Sequence, residues 1–183
     1  MKTEKRENPM SVRSKAALSQ ALLSELMGKD LDVISISDIT SRAGLSRQTF
    51  YTNFEKKEDI LNYLLNGLFA KYSRHLPSIQ ATPGNFIIDY LIFWDANKDF
   101  ISLLFRRDLG YLFQNRNREF FMDSSTQIDG IFSAEPWQLP YIKASMAGLT
   151  YELLYLWITS DQGLSVNVLT ALAENLLSGK IFG

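Results

Sequence analysis

The stretch from Ser35 to Lys57 constrains this chain most, because it encodes two short helices joined by a glycine turn. Ser35 can accept a hydrogen bond from the first turn of a helix, and Asp38 can point back to the Ser35 backbone, which makes a capping box. Gly44 stands where a left-handed residue would end that helix. The spacing therefore predicts a helix that begins near Ile36 and stops at Gly44.

A second helix is predicted directly after this turn. Ser46 is placed to cap it, and Phe50 and Phe54 recur at positions i and i+4 as its buried stripe. The remaining side chains of this helix then point away from the core; they are Arg47, Gln48, Thr49, Tyr51, Thr52 and Asn53. This layout is typical of a helix-turn-helix that reads DNA.

The outward face carries donors and acceptors that match nucleotides. Arg47 can bind O6 and N7 of guanine, and Gln48 can bind N6 and N7 of adenine. Thr49, Tyr51 and Asn53 can donate hydrogen bonds to phosphate oxygens. The alternative interpretation is a solvated polar face on an ordinary helical hairpin. The cap, the glycine turn and the aromatic stripe together favour a recognition helix.

The same stretch resembles the DNA-binding domain of the TetR family of bacterial transcription regulators. The family pattern of T-V-x-D-I-A, A-G-V-S, T-F-Y-x-x-F and K-E-x-L is matched by Ser35–Thr40, Ala43–Ser46, Thr49–Phe54 and Lys57–Leu61. The resemblance implies that Arg47, Gln48 and Tyr51 face base edges in the major groove, with Ser37 beside them. It also implies phosphate contacts from Thr49, Asn53 and Lys57, the last in the first turn of the next helix. Asn53 departs from the pattern, since many relatives carry His there.

Composition excludes several other classes of protein. The 183 residues contain no cysteine, which excludes a disulfide framework and a thiolate metal site and is compatible with the cytoplasm, where we expect the protein. With one histidine and no recognisable catalytic motif, we expect no enzyme activity, no catalytic residue, no cofactor and no metal site. The charged start predicts no signal peptide, and no apolar run is long enough to span a membrane. The net charge of -1 is unlike that of a nucleic-acid coat protein, but basic residues crowd the N-terminal third.

Periodicity along the chain predicts an all-α fold, with a three-helix head on a larger helical body. Residues 1 to about 11 are expected to be disordered, and a helix from Val12 to Met27 completes the head. A long amphipathic helix from Glu58 to about His75 is expected to link head and body. The predicted domains are residues 1–57, which bind DNA, and residues 58–183, which bind an effector and dimerise.

The body is rich in aromatic residues, which can either fill a core or line a cavity. The sequence leaves both interpretations open. If a cavity exists, the candidate effector-binding residues are Phe86, Tyr90, Trp94, Leu104, Arg107 and Tyr151. Arg107 could pair with an anionic effector, or with a nearby carboxylate.

Two helices are predicted at the end of the chain, from Pro140 to about Ser160 and from Leu164 to Leu177. Small residues in the first would let another helix approach closely. Each helix could pair with its twin in a four-helix bundle between subunits, or the two could form a buried hairpin within one chain. The candidate dimer contacts are Ala144, Ala147, Gly148, Leu154, Leu169 and Leu172.

These features and the TetR resemblance predict a homodimer that binds a palindromic operator in double-stranded DNA. A small-molecule effector would change its affinity for DNA, and the resemblance implies repression. An activator is an alternative, because the K-A-S-M-A-G-L of Lys143–Leu149 resembles the C-terminal region of dihydroxyacetone kinase regulators. An alternative of another class is a helical small-molecule-binding protein or enzyme that binds no DNA. No membrane partner is expected.

Overall fold

All regular structure in the described part of the chain is helical. The computed structural model describes residues 8–76, 82–123, 128–132, 134–160 and 162–179. The helices are α1 (Pro9–Leu26), α2 (Ile36–Ala43), α3 (Arg47–Asn53), α4 (Lys57–His75), α5 (Pro83–Asp95), α6 (Lys98–Arg106), α7 (Gly110–Met122), α8 (Leu139–Thr159) and α9 (Val166–Leu177), with short 3-10 helices at Leu31–Val33 and Ile128–Ile131. The predicted all-α fold class is confirmed. Within these ranges, no helix has both the length and the apolar character needed to cross a bilayer.

The first helix begins earlier than the sequence analysis predicts. The side chain of Asn8 accepts a hydrogen bond from the Met10 amide at 3.0 Å and caps α1. Pro9 occupies the first turn, where a residue without an N–H group loses no helical hydrogen bond. The prediction of disorder is therefore wrong for residues 8–11, and residues 1–7 lie outside the described residues.

Contacts divide the chain into two units, Met1–Asn66 and Gly67–Gly183, and α4 contributes to both. In the first unit α1 packs against α2 and α3. Its fully buried side chains come from all four helices; they are Leu18, Leu22, Leu26, Ile39, Phe50, Ile60, Leu61 and Leu65. This core fixes the helix-turn-helix to the helices before and after it.

The second unit has an aromatic core. In it α5 packs against α9, α7 packs against α8, and α6 contacts both α7 and α8. Eight aromatic side chains are buried there with at most 1% exposed; they are Phe69, Tyr72, Phe86, Tyr90, Trp94, Phe113, Phe120 and Phe121. The rings of Trp94 and Phe113 meet edge to face with centroids 4.8 Å apart, which adds to the stabilisation from burial.

A polar network crosses this aromatic core. Asn117 of α7 accepts a hydrogen bond from the Tyr90 hydroxyl and donates to the Ala147 carbonyl at 2.8 Å and to the Thr150 hydroxyl at 3.2 Å. Thr150 donates in turn to the Met146 carbonyl at 2.8 Å. Because each bond has a fixed direction, the network sets how α5, α7 and α8 fit together.

Candidate nucleic-acid interface

The first helix of the helix-turn-helix begins and ends at the predicted residues. The Asp38 amide donates to the Ser35 hydroxyl oxygen at 3.1 Å, and the Ser35 amide donates to the Asp38 carboxylate at 2.9 Å. Hydrogen bonds from the Ser35 hydroxyl and then from its backbone lower the pKa of Asp38. Gly44 ends α2 at φ +65°, where a side chain would cost roughly 1–2 kcal/mol. The predicted capping box and glycine stop are both confirmed.

Helix α3, the predicted recognition helix, is oriented by its aromatic stripe. Ser46 accepts a hydrogen bond from the Thr49 amide at 3.0 Å and caps the helix, as predicted. Phe50 is fully buried and Phe54 is 6% exposed, whereas Tyr51 is 53% exposed. The two phenylalanines therefore turn the opposite side of α3 outward.

Four predicted base-contacting residues lie on the exposed side of the head. Arg47, Gln48 and Tyr51 of α3 and Ser37 of α2 are all exposed, and we call them the base-reading group. The Arg47 Nη1 atom donates to the Ser37 hydroxyl oxygen at 3.4 Å. The two helices of the motif thus bring side chains to one surface, although ten residues separate Ser37 from Arg47.

Two of the predicted phosphate-contacting side chains also hold α3 in place. The hydroxyl oxygens of Thr49 and Ser46 lie 2.9 Å apart. The Asn53 amide nitrogen donates to the Thr49 carbonyl at 2.7 Å, and its oxygen accepts a hydrogen bond from the Ser11 hydroxyl of α1 at 2.7 Å. Asn53 keeps one amide hydrogen for a phosphate. Its bond to Ser11 was missed because 42 residues separate the two.

Lys57 is the first residue of α4, which agrees with the predicted position in the first turn. Its ammonium group donates to the carbonyl oxygens of Leu31, Asp32 and Ile34 at 2.5, 3.3 and 2.6 Å. No sequence motif indicates these contacts. They occupy the donors that the resemblance assigns to a phosphate.

A buried carboxylate joins α1 to α2, and the sequence analysis missed it. Glu25 of α1 accepts hydrogen bonds from the Arg42 Nε atom at 2.5 Å and from the Lys29 ammonium at 2.8 Å. The hydrogen bond from Lys29 and then that from Arg42 hold the pKa of Glu25 below its ordinary value of 4.5. The i, i+4 spacing could have indicated the pair with Lys29, but the bond to Arg42 spans 17 residues.

The six candidate effector-binding residues do not lie in one kind of environment. Phe86, Tyr90, Trp94 and Leu104 are fully buried in the second unit, and burial raises the pKa of Tyr90. Tyr151 is partly exposed and stacks on Tyr155 with ring centroids 6.0 Å apart. Arg107 is partly exposed and follows α6 as its C-cap.

The six candidate dimer contacts divide into two groups. Ala147, Leu154 and Leu169 are buried against their own protomer, whereas Ala144, Gly148 and Leu172 are exposed. Further exposed apolar side chains lie on the same two helices, notably Tyr141, Tyr155 and Leu156 on α8 and Val168 on α9. The exposed set therefore differs from the predicted set.

Residues 20–64 match the family model described as "Bacterial regulatory proteins, tetR family". A curated HTH-type transcriptional regulator of Bacillus subtilis strain 168, YxbF, is 36% identical over 84 residues. That alignment covers 45% of this chain, and the chain spans only 22% of the length of this relative. The family model confirms the resemblance found in the sequence, and the relative is likewise described as a regulator of the HTH type.

Solved structures with the same fold cover most of the chain. A TetR transcriptional regulator from Streptococcus agalactiae 2603V aligns over 91% of this chain and 94% of its own, with a TM-score of 0.67 and 22% identity. The dihydroxyacetone kinase operon activator DhaS aligns over 93% and 97%, with a TM-score of 0.56 and 19% identity. A tetR-family regulator from Streptomyces coelicolor aligns over 90% and 83%, with a TM-score of 0.56 and 21% identity. These likenesses extend the shared fold beyond the N-terminal domain.

The Glu25 cluster should make the stability of the chain depend on pH. Because the pKa of Glu25 is lowered on folding, its contribution is present above the ordinary value of 4.5 and is lost as the pH falls through the folded value. We expect Glu25→Gln to lower the free energy of unfolding at pH 7 and to flatten its decline in acid. Urea denaturation at a series of pH values from 7 to 3 measures both effects.

The exposed carboxylate of Glu55 in the same unit provides the control. Glu55→Gln should leave the pH profile of stability close to that of the parent. Some acid dependence should persist in Glu25→Gln, because the pKa of Asp38 is also lowered. Identical profiles for the parent and Glu25→Gln would contradict the prediction.

Proposed function

We propose that this chain is a transcriptional regulator of the TetR family that binds a palindromic operator as a homodimer and represses transcription. The two copies of α3 would enter successive major grooves about one helical turn apart. A small-molecule effector would shift the protein to conformations with lower operator affinity. By linkage, the operator would lower affinity for the effector by the same factor.

The exposure of the base-reading group on a single face of the head is the observation that most strongly supports recognition of a DNA sequence. Arg47 offers two parallel donors to guanine, and Gln48 offers both a donor and an acceptor to adenine. The contact between Arg47 and Ser37 orients the guanidinium group while the surface is free of DNA. Solvation alone does not require these base-matching side chains to share one face, so the geometry favours sequence recognition.

The exposed face of α8 supports assembly into a homodimer. Tyr141, Ala144, Gly148 and Tyr155 follow one another at spacings of three, four and seven residues, which keeps them on one side of the helix. Leu156 lies at the edge of that side and is 59% exposed. On α9, Val168 and Leu172 are 52% and 40% exposed at i and i+4. Twin helices with small residues at their centres could pack closely and cover both faces.

The body would hold the effector close to the predicted residues. The Trp94 side chain is fully buried and packs against four other aromatic rings. Because Trp94 is packed against other rings, a ligand that reached it would displace the helices that carry them. This displacement couples binding to conformation. A compound that lowers operator affinity should bind the operator complex more weakly by the same factor, as measured by calorimetry.

Selection of bound duplexes from a random pool tests DNA recognition by the full chain. We expect a two-fold symmetric consensus with half-site centres about 10 base pairs apart. A promoter that carries this consensus should be repressed when the protein is expressed. Increased transcription would favour an activator, and failure to retain any duplex would contradict the proposal.

Arg47→Ala tests the assignment of base readout. Loss of a bidentate contact to guanine should weaken binding by about 1–3 kcal/mol and relax the preference at one position of each half-site. Arg118→Ala removes the same charge from an exposed position in the second unit and should leave affinity and consensus unchanged. Unaltered affinity and preference in Arg47→Ala would show that this residue does not read bases.

Leu172→Glu tests the dimer face. A charge buried between two protomers without a partner should raise the dimer dissociation constant by about 100-fold or more. Leu177→Glu is a matched control, because Leu177 is 38% exposed on the same helix but five residues away, and so points in another direction. Sedimentation velocity should find dimers for the parent and the control. Persistent dimers of Leu172→Glu would place the interface elsewhere.

A further inference from the structure

The Lys57 ammonium group lies at the meeting point of the two segments that flank the helix-turn-helix. It belongs to the first residue of α4, the helix that follows α3, and it binds the turn that leads into α2. This turn contains the 3-10 helix Leu31–Val33 and ends at Ile34, next to the Ser35 cap. One side chain therefore connects the entrance of the motif to its exit across 23 to 26 residues.

The three acceptors match the chemistry of an ammonium group. Lys57 has three N–H donors, and three carbonyl oxygens lie 2.5, 3.3 and 2.6 Å from its nitrogen. These carbonyls project from the end of a short helical turn, where the backbone carries partial negative charge. The side chains of Leu31 and Ile34 are buried, so the turn is anchored on its other side by the core.

The position of Lys57 within α4 makes this contact more informative. A cation in the first turn of a helix opposes the positive end of the helix dipole, which disfavours lysine there. Glu58 and Asp59 in the same turn offset part of this cost. The carbonyl oxygens bound by the Lys57 ammonium group offset it at the side chain itself, and through these contacts they also fix the position of the turn before α2.

We propose that Lys57 is a positioning residue that clamps the turn at Leu31–Ile34 to the start of α4, and that it does not neutralise a DNA phosphate. The clamp holds α2 and α3 at the spacing that joins Ser37 to Arg47. It acts on DNA only through the order of the base-reading group. The part of this inference that concerns DNA rests on the proposed function, whereas the part that concerns stability does not.

Lys57→Ala in the full chain separates the clamp from a phosphate contact. Loss of hydrogen bonds to a charged group should lower the melting temperature by roughly 5 °C or more. Hydrogen exchange should accelerate in the Ile36–Ala43 helix. The slope of log affinity against log salt should match that of the parent, because no counterion release is lost. A phosphate contact contributes about 0.9 to this slope for each lysine, or about 1.8 for a dimer.

The neighbouring Lys56→Ala is the matched control for stability. Lys56 is exposed and its side chain makes no hydrogen bond or ion pair within the described residues, so its loss removes the same charge without removing a clamp. Its melting temperature should equal that of the parent. The inference would be overturned if Lys57→Ala had the same melting temperature as Lys56→Ala. It would also be overturned if log affinity fell less steeply with log salt in Lys57→Ala than in the parent.

Lys57→Arg decides the question if the alanine variant fails to fold. A guanidinium group keeps the charge and binds phosphate well, but its planar donors cannot converge on three carbonyl oxygens. We expect a folded protein with a lower melting temperature, whereas full stability in this variant would overturn the clamp. If the parent binds no DNA, the melting comparison still tests the clamp, and the proposed function fails separately.

Discussion

Burial of Phe50 in the core of the head determines what α3 can present to another molecule. A helix has one rotation about its axis that satisfies a given buried stripe, and Phe50 and Phe54 define it here. Tyr51 follows Phe50 by one residue, or about 100° of rotation, and therefore points outward. A different rotation of α3 would bury polar groups of Arg47, Gln48 or Tyr51 without partners. The hydrophobic contact thus specifies the polar surface.

Local features of the head could be predicted because each one depends on residues close together in sequence. The Ser35–Asp38 capping box, the left-handed Gly44 and the Ser46 cap all act within four residues. The same kind of cue was present at the start of α1, where Asn8 and Pro9 are typical of a helix N-terminus. The charge of the preceding residues and the proline itself also favour disorder, so the two kinds of cue conflict at this point, and the cap determines the structure of residues 8–11.

Contacts across the head could not be predicted because sequence spacing does not encode them. Glu25 meets Arg42, and Ser11 meets Asn53, only after α1 has packed against α2 and α3. The same limit applies to the last two helices. Periodicity indicates that Leu154 and Leu172 lie on apolar faces of their helices. Only the packing of each helix decides that Leu154 is buried while Leu172 is 40% exposed. The aromatic stripe of α5 likewise does not indicate the hydrogen-bond network around Asn117.

The distribution of charge in the head explains how a chain with a net charge of -1 can suit DNA. Glu25 engages Lys29 and Arg42, and backbone carbonyl oxygens engage Lys57, so these cations stabilise the head. Arg47, in contrast, contacts only the neutral hydroxyl of Ser37 in the described structure and keeps its charge for a ligand. Recognition by such a surface depends on directed hydrogen bonds more than on total charge. Because few cations are left for phosphates, counterion release is limited, and affinity for DNA would decline less with salt than in a broadly basic protein.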